Sequence, residues 1–132
     1  MLPSPWMQLV VPDTGRTYLA LLSFLPLRSL FRLPAFIRYA FAVRRQVEAA
    51  PGAVGYSMNQ DPLHLHFWTL SVWGDEAHLG SFVEALPHAL VMDALQNDMG
   101  PTAFVRWEIR GADVPPSWRD ALARQSRGPG TT

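Results

Sequence analysis

The stretch DPLHLHFWTLSVWGDE, residues 61–76, constrains this chain more than any other. Read as a strand from Leu63 to Trp73, it puts His64, His66, Trp68, Leu70 and Val72 on one face. Leu63, Leu65, Phe67, Thr69, Ser71 and Trp73 fall on the other. Neither face is polar enough to sit in water. Antiparallel sheets commonly leave one face solvated, so a strand of this kind needs cover on both sides.

The flanking sequence supplies partners. Thr17 to Leu25 is apolar and bounded by Pro26, which predicts a central strand. Pro34 stands where a helix can begin, since its missing N–H costs nothing in the first turn. From Ala35 to Ala50 the spacing is helical, with Phe36, Ile37, Ala40, Phe41, Val43 and Val47 as the apolar stripe, and Pro51-Gly52 ends it. Ala53 to Asn59 alternates as a strand, and Gln60-Asp61-Pro62 turns it into the opening run as a hairpin.

Asp75 is placed to cap a second helix, with Leu79, Phe82, Val83 and Leu86 inward. Pro87 lacks the helical N–H and crowds the preceding turn, so it predicts a break with His88 opening the next segment. Leu90, Val91 and Leu95 form the apolar side of that segment, and Gly100-Pro101 stops it. In Thr102 to Arg110, Ala103, Val105, Trp107 and Ile109 alternate with Phe104, Arg106, Glu108 and Arg110, a last strand. VPPSWRDALAR reads as a short helix capped by Ser117 and anchored by Trp118. Residues 1–16 read as an irregular lead-in, 17–124 as one domain with a helical extension, and 125–132 as a flexible tail.

The order β-α-β-β-α-β is the ferredoxin-like α+β arrangement, whose helices cover one face of the sheet. At 132 residues the chain makes one domain and leaves the second face to be covered from outside. A homodimer with its sheets face to face, a dimeric α+β barrel, is the expected solution.

Composition narrows the function classes. The formal charge is zero, so no bulk field favours nucleic acid. Cysteine is absent, which removes disulfides and thiolate chemistry and fits a reducing, cytoplasmic setting. The start lacks the charged region and cleavage site of a signal peptide, and Tyr18 to Leu27 is about half the length of a membrane span, so no stable span is expected. Arg28, Arg32, Arg38, Arg44 and Arg45 surround a very apolar helix. That pattern is compatible with a membrane-surface helix, although a helix solvated on one side is the ordinary case.

Among candidate site residues, His64 and His66 have a spacing used by metal sites, but no third ligand lies in register, so no metal is expected. His88 sits where a broken helix frees backbone groups and a pocket can open, a place for a base working near neutral pH or a heme ligand. Phe67, Thr69, Ser71 and Trp73 point one way and could line the space between sheet and helices. Tyr56 and Asn59 could add polar groups. Arg106 shares a face with Glu108, which suggests a cross-strand ion pair, with anion binding by Arg106 as the alternative.

The run TLSVWGDEAHLGSFVEALPHALVMDAL resembles the core of the antibiotic-biosynthesis-monooxygenase-like superfamily of dimeric α+β barrels, through Trp73, Asp75-Glu76, Phe82 and Pro87-His88. The end, FVRWEI followed by PPSWRDALAR, is similar to uncharacterised members with a final helical extension. The resemblance implies a cofactor-independent oxygenase acting on a hydrophobic aromatic or polyene substrate. His88 is then the catalytic candidate, with Tyr56, Phe67, Thr69, Ser71, Trp73 and Arg106 as substrate-binding candidates. A non-enzymatic dimer that binds a small ligand is the alternative, as is a heme-binding member. Fold alone does not choose among these chemistries.

Overall fold

The computed structural model describes residues 3–85 and 88–127. Five strands form one antiparallel sheet: β1 (Met7–Gln8), β2 (Thr17–Pro26), β3 (Ala53–Asp61), β4 (His66–Trp73) and β5 (Ala103–Arg110), in the order β1-β3-β4-β2-β5. Helices α1 (Leu33–Ala49), α2 (Glu76–Glu84) and α3 (His88–Leu95) pack on one face, and α4 (Trp118–Ser126) follows the last strand. The architecture is α+β and ferredoxin-like, as the element order predicts. The lead-in is less irregular than expected, because Met7 and Gln8 pair with Tyr56 and Gly55 and extend the sheet by one short strand.

Both faces of β4 are covered. Towards the helices, Trp73 packs with Tyr56, Leu79 and Phe82, while Phe67 packs beside Phe36, Val91 and Leu95. On the other face, Ala20, Leu22, Leu70 and Val72 are completely buried, with Val105 and Trp107 nearly so. Truncating any such buried leucine to alanine costs about 2–5 kcal/mol.

The cover of that second face comes from the chain itself. Ala121 of α4 is fully buried against it, with Trp118, Leu122 and Trp6 packed around. Trp118 Nε1 donates to Ser57 Oγ of β3 at 3.1 Å, and Trp68 Nε1 of β4 donates to Gln125 Oε1 at 2.8 Å. The Arg124 guanidinium lies 4.8 Å over the Trp107 ring of β5. Trp6 lies across Gly55, where a Cβ would come within 2.5 Å of the indole. The need for a second cover was legible in β4, but its source was not. Gln125 and Ser126 also belong to α4 rather than to a tail, and residues 128–132 lie outside the described residues.

Two local expectations change. The strand expected from Leu63 begins only at His66, because Asp61–Leu65 closes a tight turn through His64 N–H to Asp61 O and Leu65 N–H to Pro62 O. Leu65 takes φ 56° there, and Leu63 is left 93% exposed. His64 therefore sits in the turn and does not share a strand face with His66. On α1, Phe36 and Val47 are buried, but Ile37 and Phe41 point outward, 43% and 54% exposed. The inward stripe is narrower than the apolar spacing suggests. Val83, expected inward on α2, is likewise 42% exposed.

Candidate functional site

The helix break is real: α2 ends at Glu84 and α3 begins at His88. Pro87, on which the expectation rested, and Leu86, expected inward on α2, lie outside the described residues. Gln46 of α1 holds the two sides together. Its Oε1 accepts the His88 backbone N–H at 2.7 Å, and its Nε2 donates to the carbonyls of Phe82 and Ala85 at 3.2 and 3.4 Å. Orphan groups at one helix end and the next start thus share one amide. Nothing in the local sequence marks Gln46 for this, since its partners lie 36 to 42 residues away.

The His88 ring lies against Phe82, centroids 4.8 Å apart, and Phe82 lies in turn 4.8 Å from Trp73. His88 Nδ1 is 3.1 Å from the Val83 carbonyl. A carbonyl only accepts, so Nδ1 carries the proton and the lone pair falls on Nε2. Among the described residues, Nε2 has no hydrogen-bond partner. Burial lowers the His88 pKa from its ordinary 6.5, opposed by the bond to Val83. The imidazole is thus neutral near neutral pH, with its basic nitrogen unengaged.

His88 opens onto a partly open cavity of ≈ 350 Å³ between the sheet, α1 and α3. Phe67, Thr69 and Ser23 form part of its sheet wall, with Phe36, Val91 and Leu95 from the helices. The size is that of a small-molecule site, and the lining is mostly apolar with a few polar groups. A larger but open groove of ≈ 780 Å³ runs between α1 and α2, past Arg45, Pro51 and His78. Its histidine is exposed, with Nδ1 2.8 Å from Asp75 Oδ1. The smaller cavity is the better candidate, because it is walled by sheet and helices and has a half-buried base at its edge whose Nε2 has no partner among the described residues.

Of the residues singled out from sequence, the structure brings Asn59, Phe67, Thr69 and His88 together at this cavity. Trp73 and Ser71 are buried beside it rather than in it, with Trp73 Nε1 donating to Ser71 Oγ at 2.9 Å. Tyr56 is held on the same face, where its hydroxyl accepts from Arg44 Nε at 2.8 Å and donates to Glu48 Oε2 at 2.9 Å. Burial, with that bond to Glu48, raises the Tyr56 pKa. Arg106 pairs with Glu76 at the start of α2 and not with Glu108. Glu108 is two residues away on the same face, but the Glu76 carboxylate is the one that reaches the Arg106 guanidinium. Asn59 is buried, and its Oδ1 accepts the Gln60 N–H.

His66 meets the edges of Phe24 and Trp68, and His64 Nδ1 is 2.7 Å from Asp61 Oδ2. That contact depresses the Asp61 pKa. Among the described residues, no three histidine or acidic side chains are grouped to hold a metal.

Comparison with solved structures adds the fold's relatives. An antibiotic biosynthesis monooxygenase superposes with a TM-score of 0.62 at 12% identity, covering 67% of this chain and 95% of that one. This chain has the antibiotic-biosynthesis-monooxygenase fold. A protein of unknown function from Nitrosomonas europaea matches at 0.61 and 17% identity, covering 76% of this chain and 97% of its own. A candidate monooxygenase from Fusobacterium nucleatum matches at 0.65 and 9% identity, over 80% of this chain, which spans only 47% of that protein's length. No family model and no curated protein matches the sequence. In this chain β1 and α4 flank the βαββαβ core.

Proposed function

We propose that the cavity between the sheet and α1/α3 binds a hydrophobic aromatic or polyene molecule, and that His88 Nε2 removes a proton from it in a monooxygenase-like reaction that needs no cofactor. The observation that carries this reading is the pairing of a mostly apolar cavity with a half-buried imidazole whose tautomer is set by Val83. Burial keeps the base neutral, and a water-poor cavity strengthens its interaction with a developing anion. For a fused-ring phenol with a CH2 ring carbon, loss of the phenolic proton makes the ring electron-rich towards dioxygen. One oxygen atom becomes the new carbonyl, and the other leaves as water with both CH2 hydrogens. The substrate supplies all four electrons, so the step needs no reductant.

The test is oxygen uptake with fused-ring phenols of this kind. His88→Gln is expected to lower the rate by about a hundredfold or more, the usual range for a lost general base. A His64→Gln/His66→Gln control is expected to keep it. The acid limb of the wild-type rate profile is expected below the ordinary histidine range. Stability carries the same signature: the unfolded chain protonates His88 first as pH falls, so stability drops on acidification through pH 6.5. His88→Gln is expected to flatten that drop in urea titrations across pH.

The small number of polar groups in the cavity favours a second reading, a ligand-binding protein without turnover. Binding without oxygen uptake would select it. Growth of a Soret band on adding hemin would instead select the heme-binding reading, with His88 or His66 as axial ligand.

The homodimer expected from sequence takes a different form in this proposal. With α4 seated on the sheet face, a second copy would pair along the free edge of β5. Among the described residues, no helix is long and apolar enough to cross a membrane.

A further inference from the structure

We propose that the outward side of α1, together with the 3-10 turn (Leu30–Arg32) that runs into it, docks onto an anionic lipid membrane. The proposal rests on surface composition and exposure, and does not require the cavity to hold a substrate.

Two observations meet on this surface. First, its apolar side chains are unburied: Phe31 is 94% exposed and Leu30 66%, followed by Ile37 and Phe41 on successive turns. Large aromatic and aliphatic groups stand in water there at helical spacing, with no packing partner that accounts for them. Second, the charge around them has one sign. From Thr14 to Val47 the sequence contains six of the eleven arginines and no aspartate or glutamate, although the whole chain is neutral. Asp98 and Glu48 approach this surface from outside that stretch and pair with Arg32 and Arg44. The Arg28 side chain donates to the Met99 carbonyl and has no carboxylate partner among the described residues. Arg38 and Arg45, exposed beside Ile37 and Phe41, have no carboxylate partner among the described residues.

An apolar helix face rimmed by unpaired arginines is the composition of an interfacial helix, with apolar groups entering the acyl boundary and guanidinium groups meeting phosphates. A second copy suits the surface poorly. A two-fold contact sets the same patch against itself, which would press Arg38 and Arg45 towards their own images. The position of the patch also fits. Ile37, Phe41 and Phe104 line the cavity and are exposed to solvent, so they mark its mouth. An apolar molecule could then pass from lipid to cavity without crossing water.

The experiment is co-sedimentation of the full chain with vesicles of phosphatidylcholine alone and of phosphatidylcholine containing phosphatidylserine. Binding is expected only to the second, and is expected to weaken as salt screens the arginines. Phe31→Ser and the double variant Arg38→Gln/Arg45→Gln are each expected to weaken binding by about tenfold or more. These side chains are exposed, so the variants leave the core intact. Leu63→Ser, which removes an equally exposed apolar group elsewhere, is expected to change nothing. Equal binding to both vesicles would overturn the proposal, as would binding unmoved by Phe31→Ser. Self-association through this face without vesicle binding would overturn it in favour of a second copy.

Discussion

Replacing Ala121 with arginine, or ending the chain after Pro116, is expected to make the chain pair sheet to sheet or precipitate. Ala121 is completely buried where α4 meets the sheet, with no room for a longer side chain. A guanidinium forced into that contact would be a buried, unpaired charge, costing on the order of 3–5 kcal/mol. Detachment of α4 is the cheaper outcome, and it uncovers Ala20, Leu22, Leu70, Val72, Val105 and Trp107 together. A continuous apolar sheet face of that kind does not remain in water. Sedimentation should show doubled mass or loss from solution, with tryptophan emission shifted as Trp68 and Trp107 lose their cover. A soluble variant with unshifted emission and unchanged mass would mean that α4 does not provide the cover described above.

Filling the cavity is expected to have the largest effect on ligand binding. Thr69 projects from β4 into the cavity wall and is only half buried. Phenylalanine there keeps a strand-compatible residue and occupies space that is otherwise empty. Overpacking a filled core usually costs about 1–3 kcal/mol, so a small change in melting temperature would itself show that the space is open. Affinity for two-ring aromatic probes is expected to fall roughly a hundredfold, about 3 kcal/mol. Ser71→Ala, which disturbs the packed cluster next to the cavity, is expected to leave affinity nearly unchanged. The reverse pattern would move the site towards Trp73.

Much of this architecture can be read from residue order, and its limits have physical causes. Alternation in β4 and β5 locates the sheet and its faces, and Asp75 and Ser117 mark helix starts that the structure confirms as side-chain caps. The hairpin turn was harder. His64 and Leu65 continue the strand's alternation, but Leu65 enters the left-handed region and ends the pairing early. On α1, hydrophobicity alone could not separate Phe36, which packs on Phe67, from Phe41, which faces outward. The two differ in what lies opposite, and that is set by tertiary structure.

The same limit hid the source of the second cover. Trp118 is legible as an anchor, but Ser57, to which it donates, lies 61 residues earlier. Of the site, His88 was legible because a proline precedes it. Gln46, whose side-chain amide meets backbone groups far along the chain, and Val83, which sets the tautomer through its carbonyl, leave no mark in sequence.

The most direct test of the site is a nuclear magnetic resonance titration of the imidazole protons with 1-naphthol. Four histidines give four reporters, at positions 64, 66, 78 and 88. His88 borders the cavity, whereas His64 and His66 lie at the hairpin turn and the start of β4, and His78 lies on the open groove. A ligand in the cavity beside His88 is expected to move the His88 signals saturably while the other three stay in place. Movement of His64 and His66, or of no histidine at all, would contradict that expectation.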